Sequence, residues 1–108
     1  MPALCDHTGH LIGQASGWPR LVPPEDDGTI AQVSRYYDAV NFARRFFGAA
    51  WVTVGLIDRT CPATSVYAAY NCLRGEKLIL CFPQMGHALP AEYGAARTEW
   101  IRQHSGMQ

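Results

Sequence analysis

Two apolar runs in the second half of the chain predict β-strands. The first covers residues 50–57 and runs into Asp58, and the second covers 77–82 and leads through a short loop to His87. Short continuous apolar runs of this length, bounded by turn residues, are typical of buried strands. A helical segment separates the two runs, so we expect parallel neighbouring strands joined by a right-handed crossover.

Three further segments have helical patterns. Apolar positions recur at steps of four and three over 36–47, and Gly48 is a natural stop. A second helix is predicted to begin at 60–62, where Pro62 suits the first turn, and to end at about residue 73. A last helix is predicted over 90–104. The expected apolar faces are Tyr36, Val40, Ala43 and Phe47 in the first helix and Tyr93, Ala96 and Trp100 in the last.

Residues 1–33 are interrupted by glycine and proline and predict a loop or lid, with one short helix beginning near Asp6. Residues 34–108 then follow the order α-β-α-β-α. We therefore predict one domain over 1–108, of the α/β class, with two parallel strands and flanking helices in loop-α-β-α-β-α order.

Composition excludes several classes of protein. With 48% hydrophobic and 17% charged residues, the chain of 108 residues is neither disordered nor membrane-spanning. The formal net charge is zero and Lys and Arg are scattered, which argues against nucleic acid or an anionic membrane as partner. The chain starts without a signal-peptide pattern, and its four cysteines have no Cys-x-x-Cys spacing. We expect a cytoplasmic protein with reduced cysteines, Cys81 being a small hydrophobe inside its strand.

Asp58 and His87 are the candidate catalytic residues. Both follow predicted strands, and open α/β sheets place their sites beyond the carboxyl ends of the strands. An acid followed by a histidine is also the end of the Ser…Asp/Glu…His order of α/β-hydrolases. Gly86 is expected to allow a tight backbone beside His87. The alternative for Asp58 is a turn residue that caps the next helix.

A nucleophile is missing from this pattern. No Gly-x-Ser-x-Gly occurs, and Ser16, followed directly by Gly17, has neither the spacing nor a preceding strand. Ser65 lies on the helix after Asp58 and is expected to face solvent or to pack. Cys61 is close to Asp58, and a neighbouring carboxylate raises a thiol pKa, which is the opposite of activation.

No cofactor or metal site is predicted. Cys5, His7 and His10 have the residue types of metal ligands, but they form only half of the four-ligand set of structural zinc. His104 is interpreted as a surface residue whose charge suits the C-terminal end of the last helix.

Several motifs carry a specific resemblance to a known family. They are Pro2-Ala3-Leu4-Cys5-Asp6, Tyr36-Tyr37-Asp38-Ala39-Val40-Asn41-Phe42-Ala43-Arg44-Arg45, Val54-Gly55-Leu56-Ile57-Asp58, Cys61-Pro62, Thr64-Ser65-Val66-Tyr67-Ala68-Ala69-Tyr70-Asn71, Gly75-x-Lys77 and Met85-Gly86-His87. Together they resemble the acetyl xylan esterase/cephalosporin-C deacetylase family (carbohydrate esterase family seven). The likeness covers nearly the whole chain but only the C-terminal third of a family member.

The resemblance implies a partial α/β-hydrolase fold and the hydrolysis of small acetyl esters on sugars or cephalosporin C. It implies that Asp58 and His87 are the acid and base of the triad, while the nucleophile and oxyanion hole belong to preceding sequence. It also implies self-association, because family members form hexameric rings. Two departures, Gly48-Ala49-Ala50 in place of the usual Cys-Pro and Ala63 in place of a second proline, affect backbone geometry rather than chemistry.

The chain is therefore expected to be the C-terminal part of an acetyl esterase that is inactive without its nucleophile half. The alternative is a non-catalytic α/β module for binding or assembly that keeps the triad residues as inherited architecture. In both cases the unpaired outer edge of the 50–57 strand predicts a homo-oligomer, most simply a two-fold dimer.

Overall fold

The computed structural model of the chain describes residues 22, 23 and 25–106. Ser16 and the Cys5, His7, His10 cluster lie outside the described residues, as does most of the predicted loop or lid. The described elements, in chain order, are α1 (Thr29–Ser34), α2 (Ala39–Ala43), β1 (Ala50–Gly55), α3 (Ala63–Cys72), β2 (Lys77–Phe82), a 3-10 turn (Ala91–Tyr93) and α4 (Gly94–His104).

The two strands form a parallel sheet, as predicted. Ala50 pairs with Lys77 at one end and Gly55 with Phe82 at the other, so the strands match over their full length. The second strand has the predicted bounds, whereas β1 ends two residues early. Leu56 and Ile57 form a turn there, in which the N–H of Ile57 donates to the carbonyl of Met85 (3.3 Å).

The N-terminal helices differ from the prediction. Residues 29–33 were expected to be loop, but they lie in α1 because two aspartates satisfy the free N–H groups of its first turn. Asp26 accepts hydrogen bonds from Ile30 and Ala31 at 3.2 and 3.0 Å, and Asp27 accepts one from Thr29 at 3.0 Å.

The single helix predicted over 36–47 is also wrong, because only its middle is helical. Asp38 accepts a hydrogen bond from the N–H of Val40 (3.1 Å) and thereby fixes the start of α2 after the turn at 35–37. Of the predicted apolar face, Ala43 is buried and Val40 half-buried, whereas Tyr36 and Phe47 are 74% and 68% exposed. Only the part of that face that lies in α2 therefore packs.

The core is small and lies between β1 and α3. Val54, Cys61 and Val66 are fully buried, and four partly buried side chains pack against them: Val52, Ala63, Tyr67 and Ile79. α4 is held by aromatic contacts, with Trp100 6.2 Å from Trp51 and Tyr93 5.0 Å from Phe82 between ring centroids. The largest fully buried side chains of the described chain therefore lie where β1 and the turn after it meet α3.

Much apolar surface stays uncovered in the described chain. Cys81, predicted as a small hydrophobe inside its strand, is exposed, because no described element fully covers that side chain on the face of the sheet. Ala96 is exposed as well, so only Tyr93 and Trp100 of the predicted α4 face pack. No helix in the described part of the chain is long and apolar enough to cross a bilayer.

Candidate active site

Asp58 lies in the turn directly after β1, and its side chain is fully buried. One carboxylate oxygen, Oδ1, accepts hydrogen bonds from the N–H groups of Thr60 (2.8 Å) and Cys61 (2.9 Å). These bonds shape the turn that leads into α3, whose own N-cap is Pro62. Asp58 is thus a turn residue, as the alternative interpretation has it, but it does not cap α3, and the turn uses only one of its two carboxylate oxygens.

The second oxygen meets His87. Oδ2 of Asp58 lies 3.0 Å from Nδ1 of His87, which is a hydrogen-bond distance. His87 follows β2 on a loop, and its side chain is 46% exposed while that of Asp58 is inaccessible. A buried carboxylate therefore orients a half-exposed imidazole. The other ring nitrogen, Nε2, is the atom left to exchange a proton with a third group.

Close packing of Gly55 places the His87 loop over the end of β1. A Cβ atom at Gly55 would overlap the carbonyl oxygens of Met85 and Gly86 and lie 2.9 Å from the carbonyl carbon of Met85. Gly86, predicted to provide the tight backbone, has open space around its Cα and no positive φ. The glycine that the site requires is therefore Gly55, which the sequence analysis missed although it stands in the Gly-Leu-Ile-Asp motif.

Hydrogen bonding keeps Asp58 ionised despite its burial. Burial alone would raise the pKa of this carboxyl group, but the N–H of Cys61, the His87 ring and the N–H of Thr60 outweigh that effect. The pKa of Asp58 therefore lies below its ordinary value. An anionic Asp58 holds the proton of His87 on Nδ1 and leaves Nε2 as the basic nitrogen.

Cys61 belongs to the same cluster. Its thiol is fully buried, and burial raises its pKa, with a smaller effect from Asp58. The direction agrees with the prediction, but the expected cause, the Asp58 carboxylate, is the smaller of the two. A raised thiol pKa argues against Cys61 as nucleophile. The sequence analysis did not foresee that ligand-type atoms of Asp58, Cys61 and His87 all lie within 4.8 Å of one another.

The other candidates lie in structural positions. Ser65 is fully buried within α3, which agrees with the expectation that it packs. His104 lies in the last turn of α4, where Nδ1 donates to the carbonyl of Trp100 (2.9 Å) and the ring stacks on Trp100. Nε2 of His104 is 3.5 Å from the exposed Glu76, a contact of the kind that contributes little stability.

Comparison with known proteins identifies the family. The sequence profile of the family described as acetyl xylan esterase (AXE1) matches residues 22–104. The acetyl esterase Axe7A of Xylanibacter ruminicola is 34% identical over 107 residues, which cover 94% of this chain and 24% of that protein. This chain therefore spans about a quarter of the length of that relative.

Two relatives of known structure have the same fold in the matched region. An acetyl xylan esterase from Paenibacillus sp. R4 superposes with a TM-score of 0.76 and 27% identity over 94% of this chain and 35% of its own. Acetyl xylan esterase 1 from Thermoanaerobacterium sp. superposes with a TM-score of 0.69 and is 30% identical. That match covers 74% of this chain and 25% of the other. With most of its length matched by the family profile, the chain belongs to the acetyl xylan esterase family.

Proposed function

We propose that this chain supplies the acid and the general base of a serine esterase that removes acetyl groups from sugars such as acetylated xylan. The hydrogen bond between Asp58 and His87 carries the proposal, because it joins a buried carboxylate to a half-exposed imidazole at the carboxyl ends of adjacent strands. Membership of the acetyl xylan esterase family supports the substrate class.

The chemistry follows from the orientation of the ring. Nε2 of His87 would take the proton of a serine hydroxyl as its oxygen attacks the acetyl carbonyl, and would return that proton to the departing sugar oxygen. Water would then attack the acetyl-serine ester while Nε2 takes its proton. Nε2 would return that proton to the serine oxygen as acetate leaves. Asp58 fixes the Nδ1–H tautomer and stabilises the imidazolium that forms in each half-reaction.

The nucleophile and the oxyanion-hole donors would come from polypeptide outside this sequence. The chain has no Gly-x-Ser-x-Gly motif, and it spans only a quarter to about a third of the relatives it matches. We therefore expect the chain alone to hydrolyse p-nitrophenyl acetate no faster than its His87→Ala variant. Activity that disappears in Ser16→Ala would identify an internal nucleophile and contradict this expectation.

A chimera tests the proposal directly. The segment of Axe7A that aligns with this chain is replaced by residues 1–108, so that the remainder of the esterase provides the rest of the fold. We expect release of acetate from acetylated xylan, and its loss in the Asp58→Asn and His87→Ala variants. His104→Ala is the matched control, because His104 is also near a carboxylate but lies at the exposed end of α4.

The rival function is a non-catalytic module for binding or assembly. A chimera that folds, binds acetylated xylan and releases no acetate would favour that rival. A chimera whose activity survives His87→Ala would contradict the assignment of the general base.

A further inference from the structure

We propose that Asp58, Cys61 and His87 form a binding site for a borderline-soft divalent cation, Zn²⁺ in the first instance. The three residues offer a carboxylate oxygen, a thiol sulfur and an imidazole nitrogen, and these atoms all lie within 4.8 Å of one another. Oxygen, nitrogen and sulfur ligands in this combination are those that Zn²⁺ takes in proteins, and three protein ligands leave one position for water.

The geometry is close to that of a bound zinc ion. Ligands about 2.0–2.3 Å from tetrahedral zinc are separated from each other by roughly 3.3–3.8 Å, so no pair of ligand atoms needs to approach by more than about 1.5 Å. His87 is the ligand with room to move toward the metal, because its side chain is half exposed on a loop. Asp58 and Cys61 are fixed by the turn, in which Oδ1 of Asp58 already accepts the Thr60 and Cys61 N–H groups. Those two hydrogen bonds to Oδ1 would fix the orientation of the carboxylate whose other oxygen binds the metal.

Charge balance also favours a dication. On binding, the Cys61 thiol proton passes to solvent and the Nδ1 proton of His87 is replaced by the metal, with the ring proton carried on Nε2. The carboxylate and the thiolate then balance the two positive charges of Zn²⁺. A buried thiolate and a buried carboxylate are stable together only with such compensation.

The metal would compete with the catalytic pair. Zinc on Oδ2 and Nδ1 occupies the two atoms that form the Asp58–His87 hydrogen bond. Nε2 would then carry a proton and be unable to accept one. This consequence rests on the proposed function, and it predicts that Zn²⁺ inhibits the active chimera and that a chelator restores its activity.

Cobalt provides the test of binding itself, on the full chain and without any activity readout. Co²⁺ is titrated into the metal-free chain, and the near-ultraviolet thiolate-to-cobalt band is followed. We expect one equivalent to bind, the band to be absent in Cys61→Ser, and affinity to fall at least about tenfold in His87→Ala. Because His87 lies outside the core, its variant keeps the test informative even where Cys61→Ser fails to fold, which circular dichroism reports.

Three control variants separate this site from other ligands in the chain. Cys5→Ser tests the N-terminal Cys5, His7, His10 group, Cys81→Ser tests the exposed thiol, and His104→Ala tests the Glu76–His104 pair. All three are expected to leave the band and the affinity unchanged. The proposal would be overturned if the folded chain gave no thiolate band, or if the band were lost in Cys5→Ser or Cys81→Ser. It would also be overturned if the band were unchanged in His87→Ala. An inactive chimera that still binds one Co²⁺ through Cys61 would instead refute only the proposed function.

Discussion

Replacing Gly55 with alanine should separate His87 from Asp58 without touching either residue. The new Cβ would lie 2.9 Å from the carbonyl carbon of Met85, whereas carbon atoms in contact prefer about 3.5 Å or more. Relief of this contact requires the Met85–Gly86 backbone to move outward by at least about 0.6 Å, and the two overlapped carbonyl oxygens require a larger shift. If His87 moves with it, the 3.0 Å hydrogen bond lengthens to about 3.6 Å or more, which is too long for a hydrogen bond.

Two measurements follow the effect. Overpacking of this kind typically lowers the free energy of unfolding by about 1–3 kcal/mol, which urea denaturation of the chain reports. Nitrogen-15 NMR of the His87 ring reports its hydrogen bond to Asp58, because loss of the Nδ1–H···Oδ2 bond changes the balance of ring tautomers and the chemical shift of Nδ1. In the chimera, a misplacement approaching 1 Å should reduce kcat/KM by up to about 100-fold.

Gly86→Ala is the matched control. It lies on the same loop, one residue before His87, but an added Cβ there meets nothing within 4 Å. We expect Gly86→Ala to keep the stability and the ring spectrum of the parent chain. If Gly55→Ala left both the His87 spectrum and the stability unchanged, close packing at the end of β1 would not be what positions His87 against Asp58.

Three further outcomes are expected. Because the pKa of Asp58 in the folded chain lies below the ordinary 3.8, its contribution to the free energy of unfolding is complete above that value and is lost as the pH falls through the folded pKa. Urea denaturation between pH 2 and 6 should therefore show an acid loss that is smaller in Asp58→Asn. Iodoacetamide should modify the exposed Cys81 in the folded chain but leave Cys61 intact until urea unfolds it, which peptide mass mapping reports. Sedimentation at micromolar concentration should give a homodimer, because the outer edge of β1 is unpaired among the described residues and large apolar side chains are exposed; a clean monomer would contradict this.

The strands and the meeting of Asp58 with His87 could be predicted because local sequence determines them. Two short apolar runs with an intervening helix allow only one parallel arrangement, and that arrangement brings their carboxyl ends together. Asp58 and His87 then meet because both stand just beyond those ends. The end of β1 was placed two residues late because Leu56 and Ile57 are apolar, although they form an exposed turn.

Features that depend on side-chain capping and on backbone contacts were not predicted. The apolar spacing over 36–47 suggested one helix, but Asp38 fixes a new start for α2 in its middle. Both Gly55 and Gly86 look permissive in the sequence, and only the packing of the Met85 and Gly86 carbonyls shows which of them is required. The approach of Cys61 to His87 likewise depends on the path of the loop after β2, which no periodicity encodes.

The central claim is that Asp58 and His87 act as one catalytic unit, and a double-mutant cycle on kcat/KM of the chimera tests it most directly. Triad members act together, so we expect His87→Ala to lower kcat/KM by about 10³-fold or more, Asp58→Asn to lower it by a comparable factor, and the double variant to be little worse than His87→Ala alone. Effects that multiply in the double variant, or an active His87→Ala chimera, would contradict the account.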